Sequence, residues 1–456
     1  MAATDPVERI HTMEHETPLA RDLRQTLKHL AALPPSREAP YLTVCLDWRP
    51  QGEEPGRTPA PAPKRSQRHA ARDREGVSRR PARLEIEPHF EGLRARYTAH
   101  DPALASIDAD IKRINSYLDE LDPAAHGVVI VACHQHDVFV PVPLAVPVST
   151  SVVAGPIPSL RQLVRVAEDF PPYAVLVADQ RQAILWMIER LTWDRAVEVE
   201  ASDYPRKQMQ GGWSQRRYQA RADERVEHVA KAVAEETRRA FADAKDGLEY
   251  LVIAADEPIY SALESGFHET VKSRIIGRVH LEPDAILDDV IAAAEPVVAE
   301  AERQREMEAV QAVLDGAGAG DKGAAGADDT ILALEEGEVM RLVMNEDFTQ
   351  AGWADYTLPL VGAGEPPKEH PAGGAVANIV PTALEDELIR LALQTDAEIE
   401  LIAAKMPITA EELEDVPDAD EPMPRTEAAQ ALDQVGGVGA VFRFAVDADF
   451  APNETA

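Results

Sequence analysis

Short apolar runs alternate with longer amphipathic runs along this chain, and this alternation restricts its fold more than any other feature. Residues 173–178 (YAVLVA), 183–188 (AILWMI) and 248–255 (LEYLVIAA) have the length and apolar composition of buried strands. Residues 219–244 and 285–314 instead carry apolar positions at helical spacing. Strands that alternate with helices pack as layered domains, so the sequence predicts the α/β fold class.

Changes in composition divide the chain into three predicted α/β-type domains, because 456 residues are too many for one ordinary core. The predicted domains are 1–170, 171–315 and 316–456, and the first boundary lies at a pair of prolines. The third domain opens with a glycine-rich stretch, 316–329 (GAGAGDKGAAGADD), which predicts a flexible linker. Lys322 in that stretch does not follow a glycine and precedes no serine or threonine, which excludes a phosphate-binding loop.

The two outer domains show further helix and strand signals. Asp101-Pro102 and Thr17-Pro18 predict helix starts, since both pairs place a capping residue before a proline. The other predicted elements are strands at 41–47, 127–133, 137–142, 339–344, 398–402 and 439–444, and helices at 330–336 and 382–393. Residues 49–83 are rich in proline and arginine and cannot bury a core, which predicts a disordered or extended insertion. The cations of this insertion have two interpretations. They contact RNA, or they contact only solvent, and the second interpretation is favoured.

Net charge and cysteine content limit the partners and the compartment. The formal charge is -34, from 80 acidic and 46 basic residues, which argues against DNA and anionic membranes as partners. Cys45 and Cys133 provide no disulfide framework and indicate a reducing compartment. Cys133, His134 and His136 invite a metal interpretation, but no further ligand cluster lies nearby, so a structural role is favoured. With no signal peptide and no run of about 18 apolar residues, we expect a cytoplasmic protein. We also expect it to need no metal and no cofactor.

One window of this acidic chain contains no acid. Between residues 204 and 222 the charged residues are all positive: Arg206, Lys207, Arg216, Arg217 and Arg221. Such a cluster in a chain of this charge predicts a local contact with phosphate. A solvated surface loop that leads into a helix is the alternative, and the charge pattern alone does not decide between the two.

The centre of this window combines two glycines with an aromatic residue and a glutamine. Gly211 and Gly212 lack Cβ atoms, so they allow positive φ and close approach of the backbone to a ligand. The indole of Trp213 is suited to stacking on a nucleotide, which is worth roughly 1–3 kcal/mol per base. Gln215 follows two positions later. The pattern predicts an RNA contact in which Trp213 stacks and the five cations bind phosphates.

Four stretches together resemble the bacterial branch of the archaeo-eukaryotic class-I release factor and Pelota superfamily. They are the loop and helix start at 211–218, the segment 277–281 with the helix after it, and the segments 334–339 and 437–444. Their order and spacing are more specific than any one of them alone. The resemblance implies an RNase H-like middle domain and a last domain with the sandwich fold of kink-turn-binding ribosomal proteins.

Members of this superfamily include peptidyl-tRNA hydrolases that rescue stalled ribosomes, and also Balon-type hibernation factors. The resemblance therefore implies the ribosome, with tRNA or rRNA, as the partner. In hydrolytic members a Gly-Gly-Gln tip enters the peptidyl transferase centre, where the glutamine helps place water at the ester carbon and a backbone amide stabilises the oxyanion. The matching catalytic candidates here are Gly211, Gly212 and Gln215. The amino-terminal region does not match a codon-reading domain, so we do not expect termination at stop codons.

The loop departs from the family pattern directly after the glycines. Trp213 stands there, and an indole nitrogen donates a hydrogen bond but cannot accept one from water. Gln215 can take the role of the family glutamine only if the loop folds back. Three interpretations stay open: Gln215 positions water and the protein hydrolyses peptidyl-tRNA, the loop occupies the ribosomal A site without chemistry, or the protein is an interaction module unrelated to translation.

Overall fold

The computed structural model describes residues 23–49, 80–122, 125–169, 171–179, 182–188, 195–200, 215–244, 247–320, 322–405 and 424–444. Contacts among them form two compact units. One unit comprises the described residues between 171 and 302, and the other combines those of 23–169 with those of 303–444. Each unit has its own sheets, so the chain is a mixed α/β protein. The three-domain division stays a prediction.

The amino-terminal part of the second unit is an antiparallel sheet with helices against it. Its elements are α1 (Leu23–Ala31), β1 (Tyr41–Asp47), α2 (Arg80–Arg94), α3 (Pro102–Glu120), β2 (Gly127–Cys133), β3 (Val138–Leu144), β4 (Ser151–Gly155) and α4 (Arg161–Asp169). The strand order is β3-β2-β1-β4, and every neighbouring pair is antiparallel. The predicted helix start is confirmed, because the Asp101 carboxylate accepts from the Ala103 amide at 2.9 Å.

The predicted insertion at 49–83 is corrected at its carboxy-terminal end. Residues 50–79 lie outside the described residues, and so does the predicted helix start at Thr17-Pro18. Arg80 opens α2, whose side chains Ile86 and Phe90 are fully buried. Residues 80–83 are therefore helical, because the apolar residues that follow them supply a buried face.

The first unit has a five-stranded mixed sheet that is covered on both faces. Its elements are β5 (Tyr173–Ala178), β6 (Gln182–Ile188), β7 (Arg195–Glu200), α5 (Gln215–Asp243), β8 (Tyr250–Ala255), α6 (Glu257–Gly266), α7 (Glu269–Lys272), β9 (Ile275–Arg278) and the first part of α8 (Leu287–Ala319). The strand order is β7-β6-β5-β8-β9. The pairs β7–β6 and β6–β5 are antiparallel, whereas β5–β8 and β8–β9 are parallel.

Alternate residues of β5 enter two different cores, as the period of a strand requires. Ala174 and Leu176 pack with α5 and α6 on one face. Val175 and Val177 pack with the first part of α8 on the other. A central strand that is buried on both faces explains why this part of the sequence is a continuous apolar run.

The carboxy-terminal part of the second unit contains two sheets. Its elements are the end of α8, β10 (Gly323–Ala325), α9 (Ala327–Glu336), β11 (Val339–Asn345), β12 (Ala351–Asp355), β13 (Leu360–Ala363), β14 (Val380–Ala383), α10 (Leu384–Gln394), β15 (Glu398–Ile402), α11 (Glu427–Asp433) and β16 (Val438–Phe442). The larger sheet has the order β10-β16-β11-β15 and the smaller one β13-β12-β14. Val310 and Val313 of α8 pack against the larger sheet and α11.

The prediction of a flexible linker at 316–329 is wrong. The described residues of this stretch form the end of α8, all of β10 and the start of α9. A Cβ atom on Gly323 would lie 2.9 Å from the carbonyl oxygen of Ala440, and one on Gly439 would lie 2.4 Å from Cγ1 of Val313. The glycines therefore allow a helix and two strands to pack at short distance, and they do not serve chain flexibility.

Candidate functional site

Helix α5 begins inside the basic window and is fixed to the first unit by its later turns. Val229, Ala230, Val233 and Ala234 are buried in the core that it shares with β5, β6 and α6. Burial of each valine contributes on the order of 1.5–3 kcal/mol. Gln215 precedes Val229 by fourteen positions, which at about 1.5 Å per residue corresponds to a distance of roughly 21 Å along the helix axis.

The exposed face of the same helix is stabilised by short-range ion pairs. Arg238 contacts Glu235 at 2.8 Å, and Arg239 contacts Glu236 at 2.7 Å. Pairs at this spacing stabilise a helix by about 0.3–0.5 kcal/mol each. The cations at this end of α5 are thus paired within the helix.

The candidate residues lie at the edge of what the structure describes. Gly211, Gly212, Trp213, Arg206 and Lys207 lie outside the described residues. Four others are in α5, where the structure describes their backbone: Gln215, Arg216, Arg217 and Arg221. The helix was predicted to begin at Gln219 and begins at Gln215, so the sequence placed this boundary one turn too late. Their assignment to catalysis and RNA binding stays a prediction.

Gln215 is the first residue of α5, and this position has its own electrostatics. The first four amide groups of a helix have no acceptor within the helix, and the helix dipole adds partial positive charge there. Both effects favour phosphate or a developing oxyanion.

The segment 277–281 has a structural explanation. A Cβ atom on Gly277 would lie 2.6 Å from Cγ1 of Val297, so glycine lets β9 approach α8 closely. The guanidinium of Arg278 lies 3.8 Å from the ring centroid of Tyr260 and donates to Glu257 at 2.9 Å. This motif therefore joins β9 to α6 and α8 within the first unit.

The two carboxy-terminal motifs also lie where elements pack. The segment 334–339 covers the end of α9 and the start of β11, and both Leu334 and Val339 are fully buried. The segment 437–444 includes β16, whose Gly439 approaches α8 as described above. Three of the four motifs thus contribute to the fold, and the fourth contains the glycine loop.

Cys133, His134 and His136 have partners that fit a structural role. Cys133 is buried at the end of β2, and the amide of His134 donates to the Asp110 carboxylate at 2.9 Å. The His136 ring stacks on Tyr41 with 5.9 Å between the ring centroids. Burial raises the pKa of Asp110 to about 6. Across the described ranges, no group of three or more histidine, cysteine, aspartate or glutamate side chains has the arrangement of a metal site.

Two buried polar clusters in the second unit were not predicted from the sequence. Asp355 and His370 are joined at 2.9 Å between Oδ2 and Nε2, and the Thr357 hydroxyl donates to the same carboxylate at 2.5 Å. This hydroxyl and the other hydrogen bonds lower the pKa of Asp355 to about 2. The second cluster is the acidic triplet, which we define as residues 385–387 at the start of α10. Three consecutive acids at a helix start were the available signal, but in an acidic chain they also fit a solvated surface.

A family match covers the part of the chain that contains the candidate site. Residues 158–305 match the family model described as bacterial archaeo-eukaryotic release factor family 10. This range contains the glycine loop, all of α5 and the segment 277–281. This part of the chain is therefore similar to the bacterial archaeo-eukaryotic release factors.

Similar proteins include translation factors from archaea. Peptide chain release factor subunit 1 of Methanopyrus kandleri is 29% identical to this chain over 197 residues. The alignment covers 41% of this chain and 46% of that protein, so this chain spans less than half of the length of the curated relative.

Solved structures of release factors and Pelota proteins also align with this chain. The archaeal translation termination factor aRF1 is 15% identical over 95% of this chain and 100% of its own, with a TM-score of 0.22. Archaeoglobus fulgidus Pelota is 14% identical over 70% of this chain and 79% of its own, with a TM-score of 0.29. Dom34 from S. cerevisiae is 10% identical over 66% of this chain and 72% of its own, with a TM-score of 0.36. TM-scores this low do not establish a common overall arrangement.

The described helices do not have the properties of membrane spans. Of the helices in the described part of the chain, none combines the length and the apolar character that crossing a membrane requires.

Proposed function

We propose that this protein binds ribosomes in the cytoplasm and acts on peptidyl-tRNA in the rescue of stalled ribosomes. The observation that carries this proposal is the acid-free basic window at the start of α5, inside the range that matches the release factor family. A relative that is named a peptide chain release factor aligns with part of the chain, which supports the same assignment. We expect no diffusible cofactor, because water is the co-substrate of ester hydrolysis.

The domain folds of the superfamily belong to the same proposal. An RNase H-like middle domain is supported by the sheet order β7-β6-β5-β8-β9, in which an antiparallel three-stranded meander continues into two parallel strands. A last domain like the kink-turn-binding ribosomal proteins is supported by the mixed sheet β10-β16-β11-β15, packed against α8 and α11. The proposed domains are 1–170, 171–315 and 316–456.

The proposed chemistry needs positioning more than it needs a strong base. Gln215 would orient water at the ester carbon between peptide and tRNA, and Gly211 and Gly212 would let the backbone approach the substrate. The free amides at the start of α5 would favour the developing oxyanion. The five cations of the window would bind phosphates of tRNA or rRNA.

Occupancy of the A site without hydrolysis is the second candidate function. The observation that favours it is Trp213, which holds the position directly after the glycines and cannot accept a hydrogen bond from water. In this case Trp213 would stack on a base and the protein would hold the ribosome idle, as a hibernation factor does.

The binding experiment compares two charge reversals on one helix. Arg216→Glu with Arg217→Glu should weaken co-sedimentation with ribosomes, and added salt should weaken that of the wild type, because phosphate contacts release counterions. Arg238→Glu with Arg239→Glu changes the net charge equally at the other end of α5 and should retain binding. If the wild-type protein does not co-sediment at low salt, or if both double variants bind equally well, the proposal fails.

The catalytic experiment compares two glutamines one turn apart. Gln215→Ala should lower the release of peptide from peptidyl-tRNA on ribosomes by about 10²-fold, the usual effect of losing a positioning group. Gln219→Ala is the matched control and should leave the release rate unchanged. A wild-type protein that binds ribosomes but releases no peptide would establish occupancy instead of hydrolysis.

A further inference from the structure

The acidic triplet at the start of α10 is buried, although the chain as a whole is strongly acidic. Glu385 and Asp386 are 8% exposed and Glu387 is fully buried. Two of the three carboxylates have a cation: Glu385 lies 3.1 Å from Arg161, and Glu387 lies 2.8 Å from Arg390.

Asp386 has a neutral partner instead. The hydroxyl of Ser159 donates to its Oδ1 at 2.8 Å. Arg161, the nearest guanidinium on that side, is already engaged by Glu385 and donates to the carbonyl oxygen of Phe348 at 2.5 Å. Burial raises the pKa of Asp386 to about 7, the Ser159 hydroxyl lowers it, and the neighbouring Glu385 raises it further.

The groups around Asp386 come from both parts of the second unit. Ser159 lies between β4 and α4, and Arg161 is the first residue of α4. The amide of Ser159 donates to the hydroxyl of Thr43 in β1 at 3.0 Å. Burial raises the pKa of the Cys45 thiol, also in β1, and a negative charge on Asp386 raises it further. Glu387, on the same helix as Asp386, also accepts a hydrogen bond from the Tyr356 hydroxyl. One arginine and two other carboxylates therefore face Asp386, and the uncharged form is the one that fits this site.

Other contacts between the same two parts are ion pairs or amide hydrogen bonds. Arg165 contacts Glu346 at 3.1 Å, Arg305 contacts Glu168 at 3.0 Å, and the Gln394 amide donates to the carbonyl oxygen of Ala31 at 2.8 Å. Asp386 is thus the contact between these parts for which the structure gives a reason to titrate near neutrality.

We propose that Asp386 is a proton-controlled latch that holds the segment 157–169 against the start of α10. The neutral carboxyl keeps the Ser159 hydrogen bond without placing an unpaired charge among Glu385 and Glu387. Loss of its proton puts a third negative charge into a buried site whose two arginines are already engaged by Glu385 and Glu387, and the two parts separate locally. The latch is tight at acidic pH and loosens progressively as the pH rises towards neutrality.

The sign follows from linkage between protonation and folding. A carboxyl whose folded-state pKa is raised binds its proton more tightly in the folded state than in the unfolded state. The stabilisation is fully present below the unfolded value of 3.8 and decreases as the pH rises through about 7. Between these two values, each pH unit should favour local opening by up to about tenfold, and above about 7 the effect should level off because the carboxyl is then ionised in both states.

The experiment is hydrogen exchange of the intact protein between pH 5.5 and pH 8.5, corrected for the intrinsic exchange rate at each pH. In the wild type, protection of residues 159–169 and 384–394 should fall by up to about tenfold per pH unit between pH 5.5 and about pH 7 and should then level off. Asp386→Asn keeps the shape of the side chain but cannot ionise, so its protection should not change with pH. Asp396→Asn is the matched control, because Asp396 pairs with Lys28 between the same two parts but is 72% exposed. It should keep the wild-type slope.

A second variant keeps the proposal testable if Asp386→Asn does not fold. Ser159→Ala removes the hydroxyl that stabilises the ionised form, so protection should level off at a higher pH than in the wild type. An unchanged slope in Asp386→Asn, a flat wild-type profile, or a Ser159→Ala profile that levels off at the wild-type pH would each overturn the proposal. The measurement uses no ribosomes, so its result is independent of the proposed function.

Discussion

Gly439 in β16 is the position at which one added methyl group should disturb the fold most sharply. It pairs with Ala325 of β10 on one side and with Val343 of β11 on the other. In Gly439→Ala the new Cβ would lie 2.4 Å from Cγ1 of Val313 and 2.7 Å from the carbonyl oxygen of Ala324. Ordinary contacts of a Cβ atom are 3.4–4 Å, so both neighbours would have to move by about 1 Å.

The magnitude depends on which neighbour can yield. Val313 is fully buried in the core between α8 and the sheet, and the Ala324 carbonyl belongs to β10, which pairs with β16 itself. Overpacking of a well-packed core costs about 1–3 kcal/mol, and involvement of a paired backbone places Gly439→Ala at the upper end. We therefore expect a loss of about 2–3 kcal/mol in the free energy of unfolding of the second unit.

The assay is urea unfolding followed by circular dichroism, with hydrogen exchange of the β11 amides to assign the transition to the second unit. Gly318→Ala is the control, because a Cβ there meets no atom within 4 Å and alanine is the better helix former. In a double-mutant cycle, Val313→Ala should relieve only part of the loss, since the contact with the Ala324 carbonyl would remain. Gly439→Ala within about 0.5 kcal/mol of the wild type would refute the packing argument.

Two further predictions concern the packing of β9 and the buried acid of β12. Gly277→Ala should lower the stability of the first unit by about 1–2 kcal/mol, because the new Cβ would lie 2.6 Å from a Val297 methyl group. Urea unfolding should show a smaller loss when Val297→Ala is present as well, and equal losses would contradict this. Asp355→Asn should lower the thermal midpoint at pH 7. The difference should narrow as the pH falls from about 4 to about 2, because a carboxyl with a depressed pKa stabilises fully above its unfolded value of 3.8 and loses this effect as the pH falls through its folded value. A gap that does not narrow would show that the charge of Asp355 is unimportant.

Elements that depend on local pattern were predicted closely from the sequence. The predicted strands at 127–133 and 398–402 have the observed bounds, and the predicted strand at 41–47 does as well. The helix start at Asp101 was predicted from its capping residue, whose hydrogen bond the structure contains. In each case the deciding residues lie within a few positions of one another, so the sequence alone carries the information.

Elements that depend on distant partners were missed. The glycine-rich stretch after α8 is ordered because Gly323 pairs with Val441, more than a hundred positions later in the chain. The burial of Asp386 depends in the same way on Ser159, 227 positions earlier. Composition identified the glycine-rich stretch but assigned its glycines to flexibility, and it gave no prediction for the burial of Asp386. The partners that decide both cases are not local.

The same distinction explains what the sequence could establish about the candidate site. Its residue types and its charge were readable because they lie within one short window, and the family match to 158–305 covers this window. The start of the helix could not be predicted correctly from the sequence, because α5 begins at Gln215, one turn before the apolar positions on which the prediction depended. This difference affects the mechanism. As part of a helix, Gln215 has a backbone that is fixed relative to the buried turns at Val229 and Val233. A catalytic glutamine in this position would be held by the core of the first unit, and substitutions that loosen α5 should lower peptide release even where Gln215 itself is unchanged.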